Sequence, residues 1–534
     1  MAQSFRWFPW TSNDDGWRPP PHFGLKPFPA LSRAAAIAIA IGIWAAIYLP
    51  GLGSLEIKGE EIRRIMPGVN MLETGDWIVP RFNGQPYLRK PPLVNWAIAL
   101  SVKSFGVRNE WTTRLPSALA MLAMALVMLA ACGPWLGTNA ALTAALLALT
   151  SAGLIEKGRL AEIDAIYIAF FGMAFSCWMG WMAMRRSRWL VWPATGLLLG
   201  LGLLAKGPPH LAYFYAIAGS IAWRNQRKKP TEAGLDTGLF SWAHLCGLLI
   251  MVGVFALWCV PYMRQASTLG AGGVWARQMG QRLGAGSSST IFVNLRNSFV
   301  NFLPWVLGLP LFWWRPALSR LEARDRLITE AARWPIVICA FVIMLVPGML
   351  PRYTLPLIIP YALLLALLLK AVMKAGREND ILRWPLAAAC VTGAGMVTFG
   401  LIFAPRAAAH GYARAFAAQV NAVMPPGSTI YIFDPAVQPE IFYIQGKLLF
   451  TDTVKELPND VPWLLTPESA VKLLRSRFRQ SQILAEPCNQ GGHVFALLSL
   501  HGHGRLADRA GEKSLTPDPY GPIPRLPLTE SPRK

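Results

Sequence analysis

The feature that most constrains this chain is a succession of apolar stretches, each reaching or approaching the roughly 18 uncharged residues that cross ~30 Å of hydrocarbon. They run over Ala34–Leu52, Leu115–Trp135, Ala140–Ile155, Ala165–Met184, Leu190–Ala205, Pro208–Trp223, Trp242–Tyr262, Phe299–Trp314, Trp334–Leu350, Thr354–Leu369 and Trp384–Phe403. Inside lipid every backbone N–H and C=O must be satisfied within its own segment, so these stretches are expected to be helices. The pattern predicts about eleven spans, and a mean hydropathy of +0.35 with 22 Trp argues against a soluble globular domain.

A net charge of +22 on 534 residues raises the question of nucleic acid, but the placement of the charge answers it. Arg185, Arg186 and Arg188, then Arg224, Arg227, Lys228 and Lys229, then Arg315, Arg320, Arg324 and Arg326, then Lys370, Lys374 and Arg377 fall in every second short loop. Those loops are cytoplasmic by the positive-inside rule, and no nucleic-acid partner is implied. With the amino terminus inside and an odd number of spans, the loop beginning at Lys58 and everything after Phe403 lie on the outer face. A bacterial inner membrane with chemistry on its periplasmic face is the simplest home. The first apolar run starts only at Ala34, which fits a retained anchor and not a cleaved signal. Six of the seven cysteines fall in spans and Cys488 stands alone outside, so no disulfide framework is expected.

Residues 1–33, rich in Pro and Trp, read as a loosely ordered cytoplasmic tail, and residues 34–404 as the membrane domain. From Pro405 to about Leu500 the composition turns soluble, and "STIYIFD", "PEIFYIQG", "KLLFTD", "PWLLTPESAVKLLRSRF", "SQILAE" and "HVFALLSL" alternate strand-like and helix-like segments. A small α/β domain at 405–500 on the outer face is expected, followed by a disordered tail at 501–534. It lacks a Gly-rich phosphate loop, so nucleotide binding has no support there.

Run as a helix, the stretch from Lys58 lines Ile62, Ile65, Val69 and Leu72 along one side and gathers Glu60, Arg63 and Arg64 on the other, as an amphipathic helix on the membrane surface does. The spans carry almost no ionisable groups, whereas the outer loops concentrate them: Glu60, Glu61, Arg63, Arg64, Arg81, Arg89 and Lys90, then Glu156, Lys157, Arg159, Glu162 and Asp164, then Lys206, then Arg264, Arg277, Arg282 and Arg296, then Arg352. Acids beside bases at the height of lipid headgroups allow cations to hold a phosphate while a carboxylate works on a second substrate. "RKPP", "KGPPH" and "PRYTLP" set a cation beside helix-limiting prolines. The histidines do not cluster, and no metal or other cofactor is expected. A secondary transporter or flippase is the alternative reading, but internal repeats and charges near the midplane, which transporters tend to show, are not evident.

The stretch "EEIRRIMPGVNMLETGDWIVPRFNGQPYLRKPPLVNW", followed by "FGVRNEWTTRLPSAL", "GRLAEIDAIYIAFF", "GLLAKGPPH", "NFLPWVLGLP" and "PRYTLPLIIP", resembles the bacterial GT-C glycosyltransferases related to the lipid A aminoarabinose transferase and, more distantly, the protein O-mannosyltransferases. The resemblance implies a membrane enzyme that moves a sugar from a polyprenyl-phosphate carrier to a lipid, glycolipid or protein acceptor at the outer face, usually with inversion. Those relatives begin the first-loop helix with an Asp-Glu-x-Arg-Tyr pattern. Here Glu60 takes the place of the Asp proposed to be catalytic, Glu61 and Arg63 match, and Arg64 replaces the Tyr. The resemblance makes Asp164 the second acid, with Glu162 as the fallback, and because charge builds on a leaving polyprenyl phosphate, Lys90 and Arg63, followed by Lys206 and Arg352, are the expected donor phosphate ligands. Glu61, Arg64, Arg89 and Glu162 are the expected substrate-binding residues, and Arg89 stands where relatives often carry a Glu. Two extra arginines at the motif predict a neutral or acidic sugar, a uronic acid above all, over a cationic one.

Overall fold

A computed structural model describes residues 25–500, apart from 228–234, 267–288, 434–438, 484–494 and several shorter stretches. The tails at 1–24 and 501–534, and Arg277 and Arg282, lie outside the described residues. Among those described, seven helices are long and apolar enough to cross a membrane: Glu110–Leu136 (α4), Ile163–Ala183 (α7), Arg188–Lys206 (α8), Trp242–Ala266, Ala323–Leu345, Pro351–Ala371 and Glu378–Ala408. Thr138–Leu149 (α5) and Ala152–Gly158 (α6) add an eighth if their bent pair is one span, and Arg33–Tyr48 (α1) and Leu93–Phe105 (α3) are shorter apolar helices. Pro209–Arg227 (α9) completes the set that the apolar windows anticipated. The polytopic helical fold stands, with two corrections to the span list. Phe299–Trp314 is not one helix: an α-helix ends at Asn301 and a 3₁₀ segment runs over Trp305–Trp313, because Pro304 and Pro310 remove donors from any continuous ladder. The α3 helix, with 13 residues, is too short for a span-length window to detect.

The bend between α5 and α6, 68°, also has a local cause. Thr150 Oγ1 and Ser151 Oγ donate back to the carbonyls of Leu146 and Leu147 at 2.6 and 2.8 Å, and the Ala152 N–H turns away to the Leu303 carbonyl at 3.0 Å. The turn carries Glu156, Lys157 and Glu162 to the end of the bundle where the first loop sits.

That loop contains the amphipathic helix as Gly59–Thr74 (α2), followed by a minimal ladder of Arg81–Phe82 (β1) against Gln85–Pro86 (β2). Ile62, Ile65 and Val69 are buried as the periodicity requires. The charged side is not a face lying open at a membrane surface: Glu61 is fully buried, and Arg63 and Arg64 are only 9% and 8% exposed. The helix is clasped by protein on both sides. At Gly68, α2 and α3 approach so closely that a Cβ would sit 2.8 Å from the Asn95 carbonyl oxygen, and Asn95 Nδ2 donates to the Arg64 carbonyl at 2.7 Å.

After the last span, helix Ala413–Val423 precedes a five-stranded sheet in the order β4-β3-β5-β7-β6, built from Thr429–Phe433 (β3), Lys447–Thr451 (β4), Val461–Pro467 (β5), Ser481–Ile483 (β6) and Phe495–Leu500 (β7). β3 runs parallel to β4 and β5, while β7 is antiparallel to β5 and β6. Phe416, Val420, Ile430, Ile432, Ile441 and Leu465 form an apolar core separate from that of the bundle. At the other end, residues 25–32 are not the loose tail expected: Phe28 N–H donates to Asp380 at 2.7 Å and Leu31 N–H to Asn139 at 2.9 Å.

Because the α2–α3 contact leaves no room for a side chain, Gly68→Val is expected to cost roughly 1–3 kcal/mol. Thermal unfolding of the purified protein in detergent will show a lowered midpoint, with Gly133→Ala, where a Cβ meets open space, as the control.

Candidate functional site

The site begins with how the first loop is held. Arg114, one turn into α4, donates from Nε to Glu61 Oε1 at 2.7 Å and from Nη2 to Glu61 Oε2 at 2.8 Å, a fork-to-fork pair whose side chains are 3% and 0% exposed. Its remaining N–H groups reach the carbonyls of Leu52, Leu55 and Glu56 at 2.8–2.9 Å. Glu61 in turn accepts the Ala161 N–H at 2.8 Å and closes a capping box on Lys58 N–H at 2.9 Å. Arg159 caps the end of α1 through the carbonyls of Ile47 and Pro50 at 2.7 and 2.6 Å. Glu61, expected to bind substrate, is therefore enclosed with both oxygens engaged, where it holds the loop. Arg159 was among the outer-loop charges but given no role, and Arg114 was not expected at the site; the signal for Arg114 was a lone cation at the very edge of an apolar window.

Glu60, the neighbouring acid, points the other way. Its carboxylate is 36% exposed and ion-paired with Arg63 across one turn at 3.1 Å, with Arg63 largely buried. Arg352, entering the Pro351–Ala371 span, lies close enough for its charge to interact with that of Glu60, and it faces Glu162 Oε2 at 3.7 Å and Asp164 Oδ2 at 3.8 Å. Lys206, at the last turn of α8, is bound to Asp164 Oδ1, and Lys157 on α6 bridges Glu156 and Glu162 at 3.0 Å each. Three segments distant in sequence, 157–164, the end of α8 and the start of the Pro351–Ala371 span, thus bring Lys157, Glu162, Asp164, Lys206 and Arg352 into one cluster beside Glu60. The Lys206 ammonium also lies over the rings of Tyr167 and Tyr353 at 5.0 and 4.5 Å, two aromatics that the sequence did not single out although each is within three residues of a cluster member. Arg352 Nε is buried and completes no hydrogen bond among the described residues, a donor directed into the cluster.

Burial raises the Glu162 carboxyl above its usual range, with Lys157 opposing the shift and Asp164 adding to it. Arg64 leaves the reactive face: Nη1 donates to the Tyr87 hydroxyl at 2.7 Å, and the guanidinium lies 5.4 Å from that ring. Arg89 and Lys90 are half-buried at the loop's exit into Pro91, Pro92 and α3. Among the described residues no three His, Cys, Asp or Glu side chains converge as metal ligands would. The arrangement offers an accessible carboxylate and a set of fixed cations in a partly dehydrated recess, suited to stabilising an anionic leaving group while a neighbouring group accepts a proton.

The chain superposes on the crystal structure of ArnT from Cupriavidus metallidurans bound to undecaprenyl phosphate with a TM-score of 0.65, covering 87% of this chain and 97% of that one at 17% identity. The fold is shared with ArnT. In sequence, the chain is 29% identical over 366 residues to the undecaprenyl phosphate-α-4-amino-4-deoxy-L-arabinose arabinosyl transferase of Pseudomonas aeruginosa strain LESB58, a match covering 66% of this chain and 63% of that protein. It is 24% identical over 364 residues to the transferase of the same description from Pseudomonas savastanoi pv. phaseolicola, covering 65% of this chain and again 63% of the relative. The match thus spans less than two thirds of the length of these curated relatives. A family model described as dolichyl-phosphate-mannose-protein mannosyltransferase matches residues 89–260. The chain therefore resembles the aminoarabinose transferases and the mannosyltransferase family, as its first-loop motif predicted.

The Arg114–Glu61 pair lets stability be separated from chemistry. Arg114→Ala leaves a fully buried carboxylate without its partner and is expected to cost about 3–5 kcal/mol, whereas Arg114→Met combined with Glu61→Gln recovers a large part of that loss. Detergent-phase melting of the two variants measures the difference.

Proposed function

We propose that this chain is a glycosyltransferase of the bacterial inner membrane that moves a sugar from a polyprenyl-phosphate donor to a cell-envelope acceptor, a glycolipid of the lipid A type foremost, at the periplasmic face. The observation that carries the reading is the convergence of Lys157, Glu162, Asp164, Lys206 and Arg352 beside the exposed carboxylate of Glu60. The resemblance to transferases named for undecaprenyl-phosphate-linked aminoarabinose supports it.

In this reading the acceptor oxygen attacks the anomeric carbon while the bond from that carbon to the phosphate oxygen breaks. The acceptor proton passes to the Glu60 carboxylate, and the electron pair leaves on the polyprenyl phosphate. Charge grows on the leaving phosphate in the transition state, so Arg352, Lys206 and Lys90 act there, while Arg63 holds the Glu60 carboxylate in orientation. Asp164 keeps Lys206 and Arg352 in place, a requirement for cations of like charge packed at one site. Of the two arginines that made the motif more cationic, Arg64 is engaged with the Tyr87 hydroxyl.

Glu60→Gln keeps the size of the side chain and removes its basicity, and is expected to lower transfer by roughly 10²–10⁴-fold without loss of monodispersity. The assay supplies the purified protein with lipid A and either undecaprenyl-phosphate galacturonate or undecaprenyl-phosphate aminoarabinose, and the galacturonate is expected to be the better donor. Near-normal turnover of the variant would remove Glu60 from the chemistry, and no transfer by the unaltered chain from any polyprenyl-phosphate sugar would end the reading.

Glu162 gives a pH dependence of definite sign. Its carboxyl titrates above the usual range, so lowering the pH through that raised value neutralises it and releases Lys157 and Arg352 toward the donor phosphate. KM for the donor should fall as the medium is made more acidic, and Glu162→Gln should show the low KM at every pH. A KM profile that keeps its slope in the variant would place the titration elsewhere.

A further inference from the structure

The region after the last span does not merely follow the bundle; it grips the segment that carries Glu60. The Tyr443 hydroxyl accepts the Ile57 N–H at 2.9 Å and donates to Glu110 Oε1 at 2.8 Å. Burial raises the Tyr443 phenol, so that hydroxyl keeps its proton and remains a donor. Glu110 sits in the first turn of α4, one turn before Arg114, and the same oxygen is bound by the guanidinium of Arg414. Arg414 Nη2 also reaches the Gly53 carbonyl at 3.2 Å. In the reverse direction Glu56, four residues before Glu60, accepts the backbone N–H groups of Ala413 and Arg414 at 3.3 and 2.8 Å and so caps the helix Ala413–Val423. Arg108 adds a bond to the Ile444 carbonyl at 3.3 Å, and Met66 of α2 packs against the apolar core of the sheet region.

These contacts share one geometry. The stretch 52–61 is held from the bundle side by Arg114 and from the sheet side by Tyr443 and Arg414, and the two grips meet on neighbouring turns of α4. A helix end held at backbone atoms from both sides cannot translate toward or away from Arg352 without breaking buried hydrogen bonds, and an unmade bond of that kind costs about 1–3 kcal/mol. We propose that the C-terminal sheet region is a positioning frame for the first outer loop, and that Tyr443 and Arg414, acting through Ile57, Gly53 and Glu110, are positioning residues that fix Glu60 against the Asp164–Arg352 cluster. The frame is a statement about the loop; its kinetic consequence rests on the glycosyltransferase reading.

The test uses the full-length protein in lipid nanodiscs with Tyr443→Phe, which keeps the ring and its edge-to-face contact with Phe442 while deleting the bridging hydroxyl. Hydrogen–deuterium exchange of peptides covering 55–66 is expected to speed up at least about threefold with the rest of the bundle unchanged, since local opening is governed by local hydrogen bonds. Turnover should fall roughly tenfold with KM for the donor within about twofold, because misplacement of a reacting group lowers kcat more than binding. Glu110→Gln, which weakens the hold on Arg414, should loosen the same peptides, and the double variant should be no worse than the more severe single one. Unchanged exchange at 55–66 in both single variants overturns the frame, and so does an equal acceleration throughout the bundle in both, which is the signature of a general staple. Unchanged kcat despite loosened exchange overturns the positioning role. If the unaltered chain transfers no sugar, the exchange measurement still decides the frame on its own, while the glycosyltransferase reading falls.

Discussion

Arg114 and Glu61 form the interaction on which the rest of the architecture depends. A carboxylate with no exposed surface is tolerable only when its charge and all of its lone pairs are met, and here a guanidinium fork and two backbone N–H groups meet them. Because the same guanidinium binds three carbonyls of residues 52–56, it fixes the path by which the chain leaves α1 and enters α2. Ala161, on the segment leading into α7, is tied to the same carboxylate, so the two loops that carry Glu60 and Asp164 are registered to each other through one ion pair. Removing it would free both halves of the site at once.

The reactive side obeys a different logic. Lys157, Glu162, Asp164, Lys206 and Arg352 are each 24% exposed or less at the side chain, at the end of a bundle otherwise built of Leu, Ile, Ala and aromatic residues. Charges in such a recess interact more strongly than in water, and the opposite signs set side by side offset the cost of burying them. The cluster is therefore preorganised to meet negative charge. The dipoles and cations are already in place and need little reorganisation as negative charge develops beside them. The cost of holding them falls on the surrounding fold, which is why the loop is braced from the bundle and from the sheet.

Much of this was legible in the sequence because it rests on short-range patterns. The apolar windows gave the helices, since a span must satisfy its own backbone; the period of Ile62, Ile65 and Val69 gave α2; and the restriction of ionisable groups to the loops gave Glu60, Glu162, Asp164, Lys206 and Arg352 as one neighbourhood. Where the reading failed, the cause was a local breaker or a length below threshold. Pro304 and Pro310 divide the 299–314 stretch, Thr150 and Ser151 bend the chain before α6, and α3 is only 13 residues long.

The division between the two sources is clearest at residues 60 to 64. Sequence alone determined that two acids and two bases share one turn of a helix there, because helical period depends only on spacing along the chain. It did not show that the second of the two acids would be wholly enclosed. Glu60 and Glu61 are chemically alike and about 100° apart around the helix. The choice was made by Arg114, 53 residues further on, which draws Glu61 inward and leaves Glu60 toward Arg352. The same holds for Arg64, turned onto Tyr87, and for Tyr443, which lies 386 residues from the N–H it accepts. Partners so far apart along the chain meet only through the packing of helices between them, and no local pattern records that distance.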